Sequence, residues 1–527
     1  MVGHAWHHPM ILDGRVYAVE GEPAPSWSYT HWPMSAVRAV HCFDLKTGKT
    51  QWVWLWPESL GEVSAAYNMT PVGDWLGLML RTRASEKGAP SAIFVKRDGT
   101  SYKYAKETPY GKEIGGGHSH ARLLFVGGKV WVNGTTKPMG AIDLSRPGDK
   151  ALWDMRYAKL PRPVGCTVSR ATPNYVFGSL TTYSLSKGGI RHTNAARSVC
   201  DVGAIPAAGM TFITPTQCFC APYLPGFKAF HPRPFSGAQQ IDRLEKGSAG
   251  PAPKTNARSD WPMYMANARR GNWTDANVPP KLEPLWTIKP VEEKRDHPIV
   301  AEWRDNWYTH GPVTPVSIAE GVAVFALVDR QQIVAIDPGG GKERWRRTID
   351  GRIDTSPTIR NGLVYVGTRN GWVYALNRDT GELAWRFFTA PRRDRMPAFG
   401  QLESRWPLHG SVLVEEDGVW AIAGRHNDTD AGLWWWRLDP VTGKPIASGR
   451  LGSDDLSTEV GVQRRSDGQQ SGANTPAVSN GKLMFLAGIH LEKRDGKLVN
   501  HPLGRGEGSE GEHKWWADNF NYDILFP

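Results

Sequence analysis

A group of histidine, arginine and tyrosine residues falls at one repeated place in this sequence, just before a β-strand pattern that recurs along the chain. Counted back from the turn glycine of each copy, Arg352 and Asp354 hold this place in one copy, and histidines hold it in four others. Histidine both binds metal ions and exchanges protons near neutral pH. We therefore name His118, His120, His310, His409, Arg170 and Tyr308 as catalytic candidates, and His4, His118 and His120 as candidate ligands of one divalent metal ion.

The chemistry that best fits this set is proton abstraction from an acidic polysaccharide. A cation or an arginine would neutralise the uronate carboxylate while a histidine or a tyrosine removes the neighbouring C5 proton. The competing interpretation is that these histidines only cap strand ends through hydrogen bonds. No closely spaced metal motif such as H-E-x-x-H accompanies them, so the sequence leaves the presence of a metal ion open.

Four of the five cysteines form a second group that could do chemistry. Cys218 and Cys220 flank one phenylalanine, and Cys166 and Cys200 fall near the same phase of the repeat. Two interpretations are open, which are one or two disulfides in an exported protein and a zinc site, although the spacing matches no known zinc pattern. We favour disulfides among these four. The fifth, Cys42, is expected in a buried strand.

The elements that must position these residues are clearest in residues 351–388. Asn361-Gly362 and Asn370-Gly371 each reverse the chain between runs of alternating apolar residues, and a third turn ends at Gly381 before Trp385. These turns predict a four-stranded antiparallel meander of about 40 residues, which is typical of one β-propeller blade. The sequence therefore predicts an all-β fold.

Further copies of this unit can be aligned on their turn glycines along most of the chain. We predict a single β-propeller of eight four-stranded blades, with blades 1–5 in residues 1–232 and blades 6–8 plus a closing hairpin in residues 304–527. Residues 233–303 break the period and are predicted to be an insertion whose segment 285–288 returns as the outer strand of the fifth blade. Equivalent positions between blades are predicted for Trp52, Trp153, Trp345 and Trp385.

The segment TRNGWVYALNRDTGELAW resembles the blade repeat of the quinoprotein-like propellers, and SDWPMYMANARRGNWT resembles the segment before the first blade in secreted bacterial members. That family includes dehydrogenases that use pyrroloquinoline quinone (PQQ) and an outer-membrane assembly lipoprotein. The resemblance implies that Trp385 docks between neighbouring blades. The eight-bladed dehydrogenases carry two adjacent cysteines beneath the cofactor, and this chain has no such pair and no C-x-x-C-H haem site, so we expect no PQQ.

Charge and composition limit the classes of partner that we expect. With 63 Lys and Arg against 52 Asp and Glu, the formal net charge is +11, which favours an acidic glycan or another anionic ligand. Nucleic acid is not expected because there is no basic helix or RNA-binding signature. The residues after Met1 predict no signal peptide, and no membrane span is expected. Since the proteins it resembles are exported, we expect a periplasmic or extracellular location.

Three classes of function remain after this reading. We rank first a carbohydrate-active enzyme, a polysaccharide lyase that acts at the channel mouth, because basic charge and the histidine, arginine and tyrosine group favour it. A non-catalytic binding or assembly propeller is second, because the repeat often serves as a scaffold. A PQQ-dependent dehydrogenase is third.

Overall fold

The structure is a computed structural model that describes residues 5–21, 37–60, 65–81, 92–105, 122–133, 140–145, 153–154, 168–177, 181–185, 190–192, 202–214, 227–231, 235–257, 259–291, 311–398, 400–425, 429–451, 475–479, 482–485, 489–494 and 497–500. The regular secondary structure of this part of the chain is β-strand apart from a 3-10 helix at Glu58–Leu60. None of its helices is long and apolar enough to cross a membrane. The chain divides into unit 1 (Met1–Phe219 and Gly226–Pro232) and unit 2 (Cys220–Pro225 and Arg233–Pro527).

Unit 1 contains four antiparallel four-stranded sheets and one three-stranded sheet, each with its strands in chain order. The strands are β1 (Ala5–Leu12), β2 (Arg15–Gly21), β3 (Val37–Asp44), β4 (Thr50–Leu55), β5 (Ala65–Val72), β6 (Trp75–Arg81), β7 (Ala92–Lys96), β8 (Tyr102–Ala105), β9 (Arg122–Val126), β10 (Lys129–Asn133), β11 (Gly140–Ile142), β12 (Trp153–Asp154), β13 (Arg170–Ala171), β14 (Tyr175–Phe177), β15 (Thr181–Ser184), β16 (Ile190–His192), β17 (Ile205–Ala207), β18 (Met210–Ile213) and β19 (Lys228–Phe230). Cys42 is fully buried in β3, as predicted.

Unit 2 contains the sheets β21–β24, β25–β28, β31–β34 and β35–β38, and the two-stranded hairpin β29–β30. Its strands are β20 (Leu244–Lys246), β21 (Ser317–Ala319), β22 (Val322–Leu327), β23 (Gln332–Ile336), β24 (Glu343–Thr348), β25 (Thr358–Arg360), β26 (Leu363–Gly367), β27 (Trp372–Asn377), β28 (Leu383–Phe388), β29 (Arg395–Ala398), β30 (Gln401–Ser404), β31 (Leu413–Glu415), β32 (Gly418–Ala423), β33 (Leu433–Leu438), β34 (Pro445–Leu451), β35 (Pro476–Ser479), β36 (Lys482–Phe485), β37 (Ile489–Arg494) and β38 (Lys497–Asn500). The predicted all-β class is therefore confirmed.

Tryptophans of the outer strands join neighbouring sheets in the way the repeat predicts. The Trp385 indole N–H donates to the carbonyl of Pro440 at 3.0 Å, and the ring lies against Gly443, where a Cβ would come within 2.6 Å of it. Gly443 also has φ +69°, so two constraints call for glycine there. The same arrangement joins Trp52 to Arg97 and Gly99, and Trp345 to Arg378 and Gly381. The prediction is confirmed for these three, while the side chain of Trp153 lies outside the described residues.

Two details of the sequence-based plan were wrong. The ninth copy was expected to stop at a hairpin, but β37 and β38 complete it as a four-stranded sheet. Residues 285–288 were expected to form a strand, yet the described pairings include none there. Trp286 nevertheless donates to the Pro338 carbonyl at 3.1 Å and packs on Gly341 like the other docking tryptophans. Trp286 thus occupies a docking position although its segment forms no β-strand. The blade number of eight stays a prediction.

Part of the predicted insertion adds a strand to the sheet β25–β28. Strand β20 pairs antiparallel with β28, with Leu244 opposite Phe387 and Lys246 opposite Trp385. The Arg243 guanidinium donates to the carbonyls of Phe388 and Ala390, both at 2.8 Å. This fifth strand gives the backbone groups on the outer edge of β28 hydrogen-bonding partners, so that edge is not open to another chain.

The segment 259–272, which we call the strap, crosses the first strands of several sheets in unit 2. Trp261 exchanges backbone hydrogen bonds with Ile318 of β21 at 2.9 and 2.8 Å. The Pro262 carbonyl accepts from the Ile359 N–H of β25 at 2.7 Å, and the Ala268 carbonyl accepts from the Val478 N–H of β35 at 2.8 Å. The three strand residues each lie three positions before a turn glycine, so the strap meets successive copies of the repeat at the same place.

Side chains of the strap reinforce these backbone contacts. Met263 packs in a buried cluster with Leu413 and Trp420 of the sheet β31–β34. The Arg270 guanidinium is buried and donates to the carbonyls of Pro476 at 3.1 Å and Tyr264 at 2.8 Å. Burial lowers the pKa of Arg270 to about 10, so the side chain stays charged at neutral pH. The strap therefore contacts all four sheets.

Candidate functional site

The polar centre of unit 2 lies where the repeat places residues just before the first strand and just after the second strand of a sheet. Asp329 follows β22, Arg369 follows β26 and Arg425 follows β32, while Arg352 and Asp354 precede β25. These positions occur at the same end of successive antiparallel sheets, so their side chains can meet. Glu403 of the hairpin β29–β30 joins them, and we call the six residues the charge ladder.

Signs alternate along the charge ladder. Asp329 lies 3.3 Å from Arg352, and Arg352 lies 3.0 Å from Asp354. The Arg369 guanidinium contacts Asp354 on one side and Glu403 on the other, at 3.1 Å for the latter. The Arg425 guanidinium also contacts Glu403. Three cations and three anions thus form one continuous series across three sheets.

The ladder is almost completely removed from solvent. Exposed fractions of its side chains run from 0% for Arg369 to 9% for Asp329. Desolvation of several ions is unfavourable and is offset only when each charge has close partners. Because every ion here has a partner of opposite sign, the cluster as a whole is neutral. It can hold the ends of the sheets together, but its charges neutralise one another rather than an outside ligand.

The protonation states follow from this arrangement. Burial opposes ionisation of Asp354, but Arg369 and Arg352 outweigh it and hold the pKa of this carboxyl well below its ordinary value. Burial also opposes the charge of Arg369, and Asp354 and Glu403 outweigh it and raise the pKa of the guanidinium. Both residues are therefore ionised at neutral pH.

His409, a predicted catalytic residue, lies beside the ladder with its side chain 2% exposed. Its Nδ1 is 4.0 Å from Asp354 Oδ2. Burial lowers the pKa of His409 to about 4, although Asp354 acts in the opposite direction. The imidazole is thus neutral near pH 7, which a general base requires, but it is enclosed by protein.

This depressed pKa predicts how stability depends on pH. Below the ordinary histidine pKa of 6.5 the unfolded chain binds a proton at His409, whereas the folded chain binds it only below a pKa of about 4. The neutral His409 therefore makes its full contribution to the free energy of unfolding above pH 6.5. This contribution, about 3 kcal/mol, is lost as the pH falls to 4. We expect His409→Gln to flatten this part of the pH profile. Urea unfolding of both proteins between pH 4 and 7 measures it, and parallel profiles would show that His409 is not buried in its neutral form.

The hairpin β29–β30, which we call the cover hairpin, lies over the ladder. Gln401 donates to Asp329 at 3.1 Å, and the Ser404 N–H donates to the Arg369 carbonyl at 3.0 Å. Arg425 donates to the Ser404 carbonyl at 3.1 Å. Contacts to residues after β22, β26 and β32 mean that this one hairpin bridges three sheets. No sequence pattern predicted this hairpin, because two short strands without a blade period do not stand out.

The structure places only two of the predicted catalytic residues among those it describes. Arg170 is in unit 1, where its guanidinium donates to the Val202 carbonyl at 2.8 Å, and His409 is in unit 2. The predicted common pocket therefore stays a prediction. The other candidate catalytic residues, the candidate metal ligands and the four cysteines predicted to form disulfides lie outside the described residues. They are His4, His118, His120, Tyr308, His310, Cys166, Cys200, Cys218 and Cys220.

Sequence reasoning missed Arg369, Glu403 and Arg425. A signal for two of them existed, since Arg369 and Arg425 both come shortly after a buried second strand, at the place that Asp329 holds one copy earlier. The sequence-based prediction used only the place before the first strand. For a metal ion, the described residues contain no group of three or more histidine, cysteine or acidic side chains able to hold one.

Comparison with known proteins points to one repeat family. Residues 285–490 match a family model described as outer membrane protein assembly factor BamB. Quinoprotein glucose dehydrogenase A from Acinetobacter calcoaceticus is 26% identical over 276 residues, which is 48% of this chain and 30% of that protein. Quinohemoprotein alcohol dehydrogenase ADH IIB from Pseudomonas putida is 25% identical over 158 residues, 26% of this chain and 22% of that protein. The chain spans less than a third of these relatives.

Solved structures align more loosely. BamB from Moraxella catarrhalis is 20% identical, with 33% of this chain and 42% of that chain covered and a TM-score of 0.22. Dihydro-heme d1 dehydrogenase NirN is 11% identical, with 85% and 67% covered and a TM-score of 0.21. These superpositions are too loose to place any residue of the site.

Antiparallel four-stranded sheets that repeat along the chain, joined by outer-strand tryptophans, define an all-β protein of the β-propeller class. Because the family model matches residues 285–490 and quinoprotein sequences match part of the chain, this part of the chain carries the quinoprotein-like PQQ repeat.

The cofactor for which the repeat is named does not fit the charge ladder. PQQ is a carboxylate-rich anion and needs cationic partners. Arg352, Arg369 and Arg425 each already contact a carboxylate of this chain, and the ladder residues are nearly solvent-free. Each cation of the ladder is therefore already neutralised by a carboxylate, and none is available to an anionic quinone.

Proposed function

We propose that this protein is a non-catalytic binding propeller that holds a protein partner. The observation that supports this best is the neutral, buried charge ladder beneath the cover hairpin. An enzyme would need an acid, a base or a cation within reach of its substrate, whereas the ladder and His409 are enclosed and used within the protein. The ladder instead makes one end of three sheets rigid, as a scaffold requires.

The description of the family model supports a class of partner and a cellular location. That model is described as an outer membrane protein assembly factor, so we propose a protein as the partner and the periplasm or the exterior of the cell as the location. The formal charge of +11 favours a partner with an acidic surface.

A polysaccharide lyase is the second candidate. It is favoured by the neutral imidazole of His409 beside the Asp354 carboxylate, an arrangement that resembles a general base with its orienting group. In this proposal the base would come from His118, His120, His310, His409 or Tyr308, with Arg170 as the cation. The 2% exposure of the His409 side chain speaks against its own contact with a polymer. A PQQ-dependent dehydrogenase ranks third because the ladder does not fit the cofactor.

Turnover separates the first two candidates. The full chain would be incubated with polygalacturonate, alginate and hyaluronate, with and without added Ca²⁺, and the ultraviolet absorbance of unsaturated uronate followed. We expect no product. Product formation that is lost in His310→Ala and His120→Ala, in proteins with unchanged unfolding midpoints, would replace the scaffold proposal with the lyase.

A further inference from the structure

The two faces of the cover hairpin differ in what they contact. In its antiparallel register Met396 lies opposite Glu403, and Pro397 lies opposite Leu402. Successive pairs point to opposite faces. The pair with Glu403 faces the charge ladder, so the pair of Pro397 and Leu402 faces outward.

The outward face is apolar where a surface hairpin is usually polar. Leu402 is 58% exposed, and Pro397 is exposed opposite it. The hairpin is a sheet of only two strands in the described part of the chain, but Ser404 of β30 already bonds to Arg369 and Arg425, and Pro397 of β29 has no N–H to donate. The exposed apolar pair is therefore a surface on which another chain can pack through its side chains.

Unpaired positive charge lies next to this apolar pair. Arg395 shares the outward alternation with Pro397, and Arg393 precedes it by two residues; both are exposed. Among the described residues no carboxylate contacts either guanidinium, and Arg393 instead lies over the rings of Phe388 and Trp372 at 4.9 and 5.6 Å. The neighbouring Arg392, by contrast, is paired with Asp394 at 2.9 Å.

We propose that the outward face of the cover hairpin docks an extended, acidic segment of a partner protein. Acidic side chains of the segment would contact Arg393 and Arg395, and its apolar side chains would cover Leu402. A glycan is the poorer fit because the exposed group is aliphatic, and the nearby Trp372 ring, 3% exposed, is not open for sugar stacking. This proposal rests on the proposed binding function and names its surface.

The test uses a fluorescein-labelled peptide of alternating glutamate and valine, with fluorescence anisotropy as the readout at low and high salt. A lysine–valine peptide and labelled polygalacturonate serve as probes of charge sign and of partner class. We expect the acidic peptide to bind with an affinity that falls with salt. Arg395→Glu and Leu402→Ser should each weaken it by about tenfold, as truncation of a central contact does.

Matched controls come from the same unit. Arg347 is exposed and has no carboxylate contact among the described residues, and Ile446 is 49% exposed. Arg347→Glu and Ile446→Ser should therefore leave the affinity for the acidic peptide within about twofold of the wild type.

Three outcomes would overturn the docking surface. They are equal losses in the hairpin and control variants, unchanged binding in the hairpin variants, and binding of polygalacturonate but not of the acidic peptide. Failure of the underlying function is seen separately, as unsaturated uronate released by the wild-type chain. A chain with turnover could still bind the peptide at the hairpin, so the two results do not depend on each other.

Discussion

Arg369→Ala is expected to lower the free energy of unfolding by about 3 to 5 kcal/mol, because it leaves the three carboxylates of the buried ladder with only two cations, Arg352 and Arg425. The guanidinium is fully buried between Asp354 and Glu403. Its removal abolishes the only ladder contact between the Asp354 side and the Glu403 side of the series. Urea unfolding followed by tryptophan fluorescence measures the change.

The control is an exposed ion pair in the same unit. Arg344 lies 2.9 Å from Asp337, and the two side chains are 36% and 42% exposed. Arg344→Ala should change stability by no more than about 1 kcal/mol. If Arg369→Ala were as mild as this control, the ladder would not be a buried network and its role in holding the sheets together would be wrong.

Trp385→Ala is the second substitution with a large expected effect, a loss of about 3 to 5 kcal/mol. The ring is 1% exposed and belongs to the main buried cluster of unit 2. Truncation removes this contact area, leaves a cavity beside Gly443 and takes away one of two donors to the Pro440 carbonyl, the other being the Tyr365 hydroxyl. Unfolding in urea, read by circular dichroism, reports the loss without relying on the deleted fluorophore.

Trp273 provides the comparison, since it is 65% exposed. Trp273→Ala should alter the free energy of unfolding by about 0.5 kcal/mol or less. Similar losses for the two substitutions would mean that Trp385 does not act as an inter-sheet contact.

Much of the fold could be predicted because its signals are local. Asn361-Gly362 requires positive φ at both residues, observed at 52° and 77°, and a turn of this kind fixes the register of the strands on either side. The docking tryptophans repeat at a fixed distance from such turns. The fifth strand of the sheet β25–β28 could not be predicted, because β20 precedes its partner β28 by more than 100 residues and carries no periodic signal of its own.

The site was predicted less well for the same reason. The phase of the repeat places Arg352, Asp354 and His409 before the first strands of their sheets, but phase does not tell whether a side chain faces solvent or a partner. Whether His409 reaches a substrate depends on Glu403 and the cover hairpin, which lie outside the repeat. Burial of this kind is set by tertiary contacts, and the spacing of residues in the sequence does not predict it.

The strap has a consequence for the order in which unit 2 is built. Its residues precede every sheet they contact, so they leave the ribosome first, and the contact between Arg270 and Pro476 joins residues 206 positions apart. Contacts of such separation close slowly in a free chain. Because the strap is already synthesised when each sheet emerges, we expect the sheets to pair with it one after another rather than in a single long-range closure.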